Sequence, residues 1–185
     1  DKSFNENYFT GIYDIFEKYN TQYAILLRLY PVGKNPFKLR KFFLILNEDS
    51  RDFIFEYEFL RLFDFIRLFF MITIYPLKVL QLTQKEESKI DKIFNHALIK
   101  DIKYFNFTSL TRYILGENLS KITSIKNVYS WCEFQVIERS FNYAIKKNCN
   151  HINLIGLQVY INYETFFNIY VDDIDFEMQS SPDKI

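Results

Sequence analysis

The side chains that most often carry covalent or metal chemistry are few in this chain and widely spaced. Cys132 and Cys149 lack the short spacing of a zinc or redox pair and lie in or beside apolar segments, so reduced core thiols are expected. His96 stands without a second His or Cys at ligand spacing, and His151 stands alone in a turn. Asp172, Asp173 and Asp175 form an acidic cluster, read as a solvated loop or strand edge because a metal there would need ligands from elsewhere. The densest basic stretch, Lys34, Lys38, Arg40 and Lys41 around Pro36, reads as a solvated loop, with phosphate contact as its functional alternative. The chain has no Walker loop, glycine-rich dinucleotide fingerprint or nucleophile elbow. Its four glycines leave little from which to build a backbone phosphate cradle.

The last third arranges polar residues by topology. Residues 125–131 are a short β-rich run, and Val136, Ile137, Phe141, Ala144 and Ile145 within 133–147 are spaced for a helix packed on a sheet. Residues 148–150 turn the chain, and 152–160 return as a strand interrupted at Gly156. Strand, helix and strand with short links predict a parallel crossover. Ligands of open parallel sheets bind beyond the carboxyl ends of the strands. That puts Trp131, Cys132, Glu133, Gln135 and the 156–158 segment beside any site the sheet builds.

The rest of the chain reads as mostly helical. Residues 5–19 have apolar positions at helical intervals, 23–30 suggest a short buried strand, and 39–46 a weaker one. Residues 51–70 read as helix, and 69–75 could form a buried strand fed by it. Thr83 and Glu86 match a capping box opening a helix over 84–100, with Ile90, Ile93, Phe94, Ala97 and Leu98 on its core face. A helix over 109–115 is expected to end at Gly116 in a left-handed cap.

Composition bounds the function classes. Hydrophobic residues make up 49% and charged residues 25% of the 185, a globular balance. The 19% aromatic content is expected to fill the core. Basic and acidic residues number 23 each, which argues against a general nucleic-acid binder. The most apolar stretch, 63–80, is interrupted by Asp64, Arg67, Lys78 and Pro76, so burial in a core is expected rather than a membrane span. Peripheral membrane contact through this surface is the alternative. The sequons at Asn106 and Asn118 are read as chance matches.

Two stretches carry a family resemblance. Tyr129-Ser130-Trp131-Cys132-Glu133-Phe134-Gln135-Val136-Ile137-Glu138-Arg139 and Asn153-Leu154-Ile155-Gly156-Leu157-Gln158 resemble part of the bacterial surface-carbohydrate glycosyltransferases with two Rossmann domains, the GT-B type. Tyr170, Glu177 and Pro182-Asp183-Lys184-Ile185 follow in the order such proteins show. Two positions depart from the pattern: Phe134 stands for an Asn, and Val159 for a His.

The resemblance implies an α/β fragment. A helix-rich acceptor-side part over 1–122 would precede the start of a Rossmann-like nucleotide-sugar domain over 123–185. It implies transfer of a sugar from a nucleotide donor to a glycan or lipid-linked acceptor, without a further cofactor or metal, in the cytoplasm or at the inner face of the membrane. Glu133 would act as general base or orient a sugar hydroxyl, and the amides of Gln135 and Gln158 would bind sugar or phosphate oxygens, beside Trp131. The competing role for Glu133 is to cap the following helix. Arg139 is expected to pair with Glu138 or another carboxylate structurally. Two other function classes stay open: a noncatalytic carbohydrate-binding module, with 171–176 as the terminal strand of a sandwich, and a protein-interaction module without chemistry of its own.

Overall fold

The computed structural model describes residues 10–27, 35–83, 85, 87–103, 107–133, 135–158 and 172–185. The chain is α/β, and its two small sheets are each a parallel pair of strands. It forms two compact units, Asp1–Phe59 and Leu60–Ile185. The division expected at 122/123 lies within the second of these.

The first unit contains a parallel crossover that the sequence reading missed. Helix α1 (Thr10–Lys18) sets Tyr13 and Phe16 against Tyr23, with ring centroids 5.8 and 5.1 Å away. Strand β1 (Ile25–Leu27) is followed by helix α2 (Pro36–Asn47) and strand β2 (Phe53–Phe55). Ile25 pairs with Phe53 and Leu27 with Phe55. The strand expected at 39–46 is therefore helical, and the reason is local. The Asn35 side chain accepts from the Phe37 and Lys38 N–H groups at 3.0 and 3.3 Å, and Pro36 occupies the first helical position. Phe43 then packs edge-on against Phe55 at 5.1 Å. Lys38, Arg40 and Lys41 lie exposed on this helix rather than in a loop, and Lys34 falls outside the described residues. Past β2, Glu56–Phe59 makes one 3₁₀ turn, so the helix expected from Arg51 begins only at Leu62.

Helix α3 (Leu62–Gln81) opens the second unit and runs through Pro76. Neither the strand at 69–75 nor the break at Pro76 occurs. Apolar packing outweighs the single backbone donor that proline removes. Leu68 is buried with Leu60 and Ile114, and Met71, Leu110 and Tyr113 pack around them. No helix among the described residues is long and apolar enough to cross a membrane.

Helix α4 (Lys89–Lys103) begins a turn later than expected. Ser88 and Asp91 form the reciprocal cap: Ser88 N–H donates to Asp91 Oδ2 at 2.7 Å, and Asp91 N–H to Ser88 Oγ at 3.1 Å. The Thr83 hydroxyl instead donates back to the Leu80 carbonyl, while Glu86 lies outside the described residues. The helix buries Asn95, and the apolar face expected to meet the core, with Ile90, Ile93 and Phe94, is exposed.

Helix α5 (Phe107–Leu119) continues through Gly116 rather than ending there. Gly116 is a packing glycine. A Cβ on it would stand 2.7 Å from the Phe141 carbonyl oxygen and 2.8 Å from the Ala144 Cβ. Its absence lets α5 lie close along helix α6 (Val136–Asn148), where Phe141, Ala144 and Ile145 are fully buried. The Arg112 guanidinium covers the Phe141 ring at 4.4 Å. Strands β3 (Asn127–Trp131) and β4 (Asn153–Leu157) flank α6 and pair in parallel, as the spacing predicts. Ile155 bridges Lys184, also in parallel, so the chain end begins a third line of the same sheet. Helix α7 (Asp173–Glu177) replaces the strand expected over 171–176; Val171 lies outside the described residues.

Candidate functional site

The register of β3 and β4 brings the predicted polar residues to one edge. Trp131 stands opposite Leu157 at the carboxyl ends of the two strands, and the Cys132 N–H still donates to the Leu157 carbonyl at 3.1 Å. The chain then leaves the sheet through Glu133 on one side and Gln158 on the other. Trp131 and Glu133 are half-buried, and Gln135 and Gln158 are exposed.

The approach of the two strand ends depends on Gly156. A Cβ there would come within 2.8 Å of both the Cβ and Sγ of Cys132 and within 2.9 Å of the Pro182 ring. Cys132 is accordingly buried, and Cys149 is half-buried; both are free thiols, as expected. His96 is exposed on α4, and His151 sets Nε2 3.3 Å from the Ile122 carbonyl. Among the described residues no three His, Cys, Asp or Glu side chains converge as a metal site.

The α6 N-terminus holds the edge in shape. The Glu138 carboxylate accepts from the Glu133 N–H at 2.8 Å and from the Gln135 N–H at 3.2 Å. Glu138, one turn into the helix, is therefore the residue that ties down the free backbone groups before it. Gln135 and Glu138 have the spacing of a capping box, a signal that was present in the sequence. The Glu133 carboxylate instead accepts from the Gln135 side-chain amide at 2.8 Å. The pair presents a carboxylate and an amide oriented by each other, a combination that can both accept from and donate to hydroxyl groups.

Electrostatics narrow what this edge could take. A helix N-terminus ordinarily attracts anions through its free N–H groups and its dipole. Here Glu138 already accepts from backbone N–H groups at that terminus, and Glu133 adds a second carboxylate beside it. A phosphate would meet two like charges there, whereas a neutral polyol would meet acceptors and a donor.

Residues outside the predicted site brace β4 and α6. Asp183 Oδ2 accepts from the Leu154 N–H at 2.7 Å, and its Oδ1 pairs with Lys146 at 2.9 Å. Partial burial pushes the Asp183 pKa up, but the Leu154 N–H and the Lys146 ammonium outweigh it and hold the carboxyl below the usual range. Asp175 of the acidic cluster is buried and not solvated: Arg139 Nη2 donates to it at 2.9 Å, and the Ser180 hydroxyl at 3.0 Å. Asp172 and Asp173 are exposed. Arg139 is thus structural, with α7 rather than Glu138 supplying its partner.

Comparison with protein-family models, with curated proteins and with solved structures finds no match to this chain.

Proposed function

We propose that residues 123–185, within the second unit, form a Rossmann-like element that recognises the sugar of a nucleotide-sugar donor in a glycosyltransferase of surface-polysaccharide assembly. The observation that carries this reading is the Glu133–Gln135 pair at the carboxyl edge of a parallel β3–α6–β4 crossover, with Gln158 leaving the neighbouring strand. Sugars offer many hydroxyl groups, each a donor and an acceptor, and the pair answers both capacities. Glu133 orients an acceptor or donor hydroxyl and is suited to take its proton as it attacks. Trp131, half-buried at the same edge, offers a ring on which a sugar face could rest.

The crowding of carboxylates at the α6 N-terminus refines the assignment. The diphosphate of the donor would be held away from this edge, and Glu133, Gln135 and Gln158 contact sugar hydroxyls rather than phosphate oxygens. Carbohydrate binding without transfer uses the same contacts and differs only in the fate of the Glu133 proton.

Thermal unfolding with uridine and guanosine diphosphates and their sugar conjugates tests the proposal. A ligand at a hundredfold excess over its Kd stabilises the fold by about 2.7 kcal/mol. We expect a sugar conjugate to raise the midpoint more than its diphosphate, and Glu133→Ala or Gln158→Ala to abolish the difference. Equal shifts for conjugate and diphosphate, or a shift indifferent to both substitutions, would overturn the reading.

A further inference from the structure

Among the described residues, exposed large apolar side chains gather away from the sheet, on α3 and α4. An α-helix that is apolar around its whole circumference belongs in a core or in lipid. In α3 two of the three charges within the apolar run, Asp64 and Arg67, are turned inward to α5. Asp64 accepts from the Asn118 amide at 3.0 Å, and Arg67 makes a two-pronged pair with Glu117, its second contact 3.1 Å. The outward half as far as Leu77, about two residues per turn, is left without a charge. Phe63, Phe70 and Leu77, spaced by sevens along it, are 72%, 57% and 60% exposed. Thr73 is the polar residue among them, and its hydroxyl is turned back to the Phe69 and Phe70 carbonyls at 3.1 and 2.9 Å.

Helix α4 packs against α3 and repeats the pattern with charge added. Ile90 and Ile93 are 76% and 70% exposed, and Phe94 and Ala97 continue the same strip. Directly alongside runs an exposed row of Lys89, Lys92, His96 and Lys100, at helical spacing. Of the carboxylates nearby, Asp91 accepts from Ser88, and Glu87 faces Lys85 at 3.7 Å. Arg61 and Lys78 are exposed near the two ends of α3. An apolar strip bordered by a lysine row is the pattern of a helix lying in the interface of an anionic bilayer. There the rings enter the acyl boundary and the lysine stems reach back to the headgroups.

We infer that the outward faces of α3 and α4 seat this protein on an anionic lipid surface, lying on the membrane and not crossing it. The charge complementarity selects this occupant. A second copy of the chain would bring the same lysine row against itself, whereas acidic headgroups neutralise it. The inference stands apart from the sugar-binding proposal, because it uses none of Trp131, Glu133, Gln135 or Gln158.

Co-sedimentation of the full chain with phosphatidylcholine vesicles, with and without phosphatidylglycerol, tests it. We expect binding to the mixed vesicles only, weakening as salt screens the lysines. The double substitution Lys89→Gln with Lys92→Gln should lower the partition coefficient about 25-fold, at ~5-fold per lysine. The triple substitution of Phe63, Phe70 and Leu77 by Ser should abolish binding while leaving the circular dichroism spectrum and unfolding midpoint unchanged. Absence of binding to the mixed vesicles, or equal binding to neutral ones, would overturn the inference. So would a dimer, seen by light scattering, that the triple substitution dissolves without affecting sedimentation with vesicles.

Discussion

Helices α4 and α6 look alike in sequence and end in opposite environments. Each has an apolar strip at helical spacing, and each begins at a reciprocal cap or clamp, Ser88 with Asp91 in one and Gln135 with Glu138 in the other. In α6 the strip is buried: Phe141, Ala144 and Ile145 have essentially no exposure, because Gly116 lets α5 approach within contact of the backbone. In α4 the strip faces outward, and the buried side includes Asn95. Hydrophobic periodicity identifies a face that must be covered. It does not identify the cover, which can be another helix, a sheet or a surface outside the chain.

That contrast can be broken by truncating one strip and then the other. Phe141→Ala removes a fully buried ring and its contact with Arg112, and we expect a loss of about 3–5 kcal/mol, read from the denaturant midpoint. A loss below 1 kcal/mol would mean that the α5–α6 interface is not the centre of the second unit.

A smaller effect is expected where Asp183 braces β4 and α6. Asp183→Asn keeps the shape but removes the charge that the Leu154 N–H and Lys146 favour, at a cost of about 0.5–1.5 kcal/mol at neutral pH. The sign follows from the lowered carboxyl pKa. The stabilisation is fully present above the unfolded-state pKa of an aspartate and disappears as pH falls through the lower folded-state value. Stability curves of the two proteins should therefore converge in acid and separate toward neutrality, and a constant offset would sink the assignment.

The smallest effect should come from α4. Ile93→Ser is expected to change stability in water by less than about 0.5 kcal/mol, since its side chain meets solvent already. A destabilisation comparable to that of Phe141→Ala would show that the α4 strip is covered within the chain and would remove the basis for a lipid-facing role.

The readings that held were those governed by neighbours in sequence. The strand, helix, strand order of 127–157 followed from period and turn residues, and the polar residues at its edge followed from the parallel topology. The readings that failed were decided by competition. At 39–46 an apolar run suited to either strand or helix became helix because Asn35 and Pro36 cap it, a signal the run itself does not contain. At Gly116 the usual role of a glycine after an apolar run gave way to the need of two helices to touch. The clamp by Glu138 was legible in its spacing, whereas the alternative cap role for Glu133 drew on the general preference of acidic residues for helix N-termini. Asp175 looked solvated within its acidic cluster, and Arg139, 36 positions away, together with the Ser180 hydroxyl makes its burial tolerable.

By itself the sequence determined the strand, helix, strand order of β3, α6 and β4, that the two strands are parallel, and that carboxylate and amide side chains gather where those strands end. These follow from backbone preference and period, which act over a few residues. Only the tertiary structure decided that α2 completes a second parallel crossover, that Asp64 and Arg67 turn inward and leave the outer half of α3 uncharged as far as Leu77, and that Glu133 is oriented by Gln135. Each of those depends on partners brought together from separate parts of the fold or on a side chain's choice among partners. That choice is set by the free energy of the whole packed unit and not by any short stretch of it.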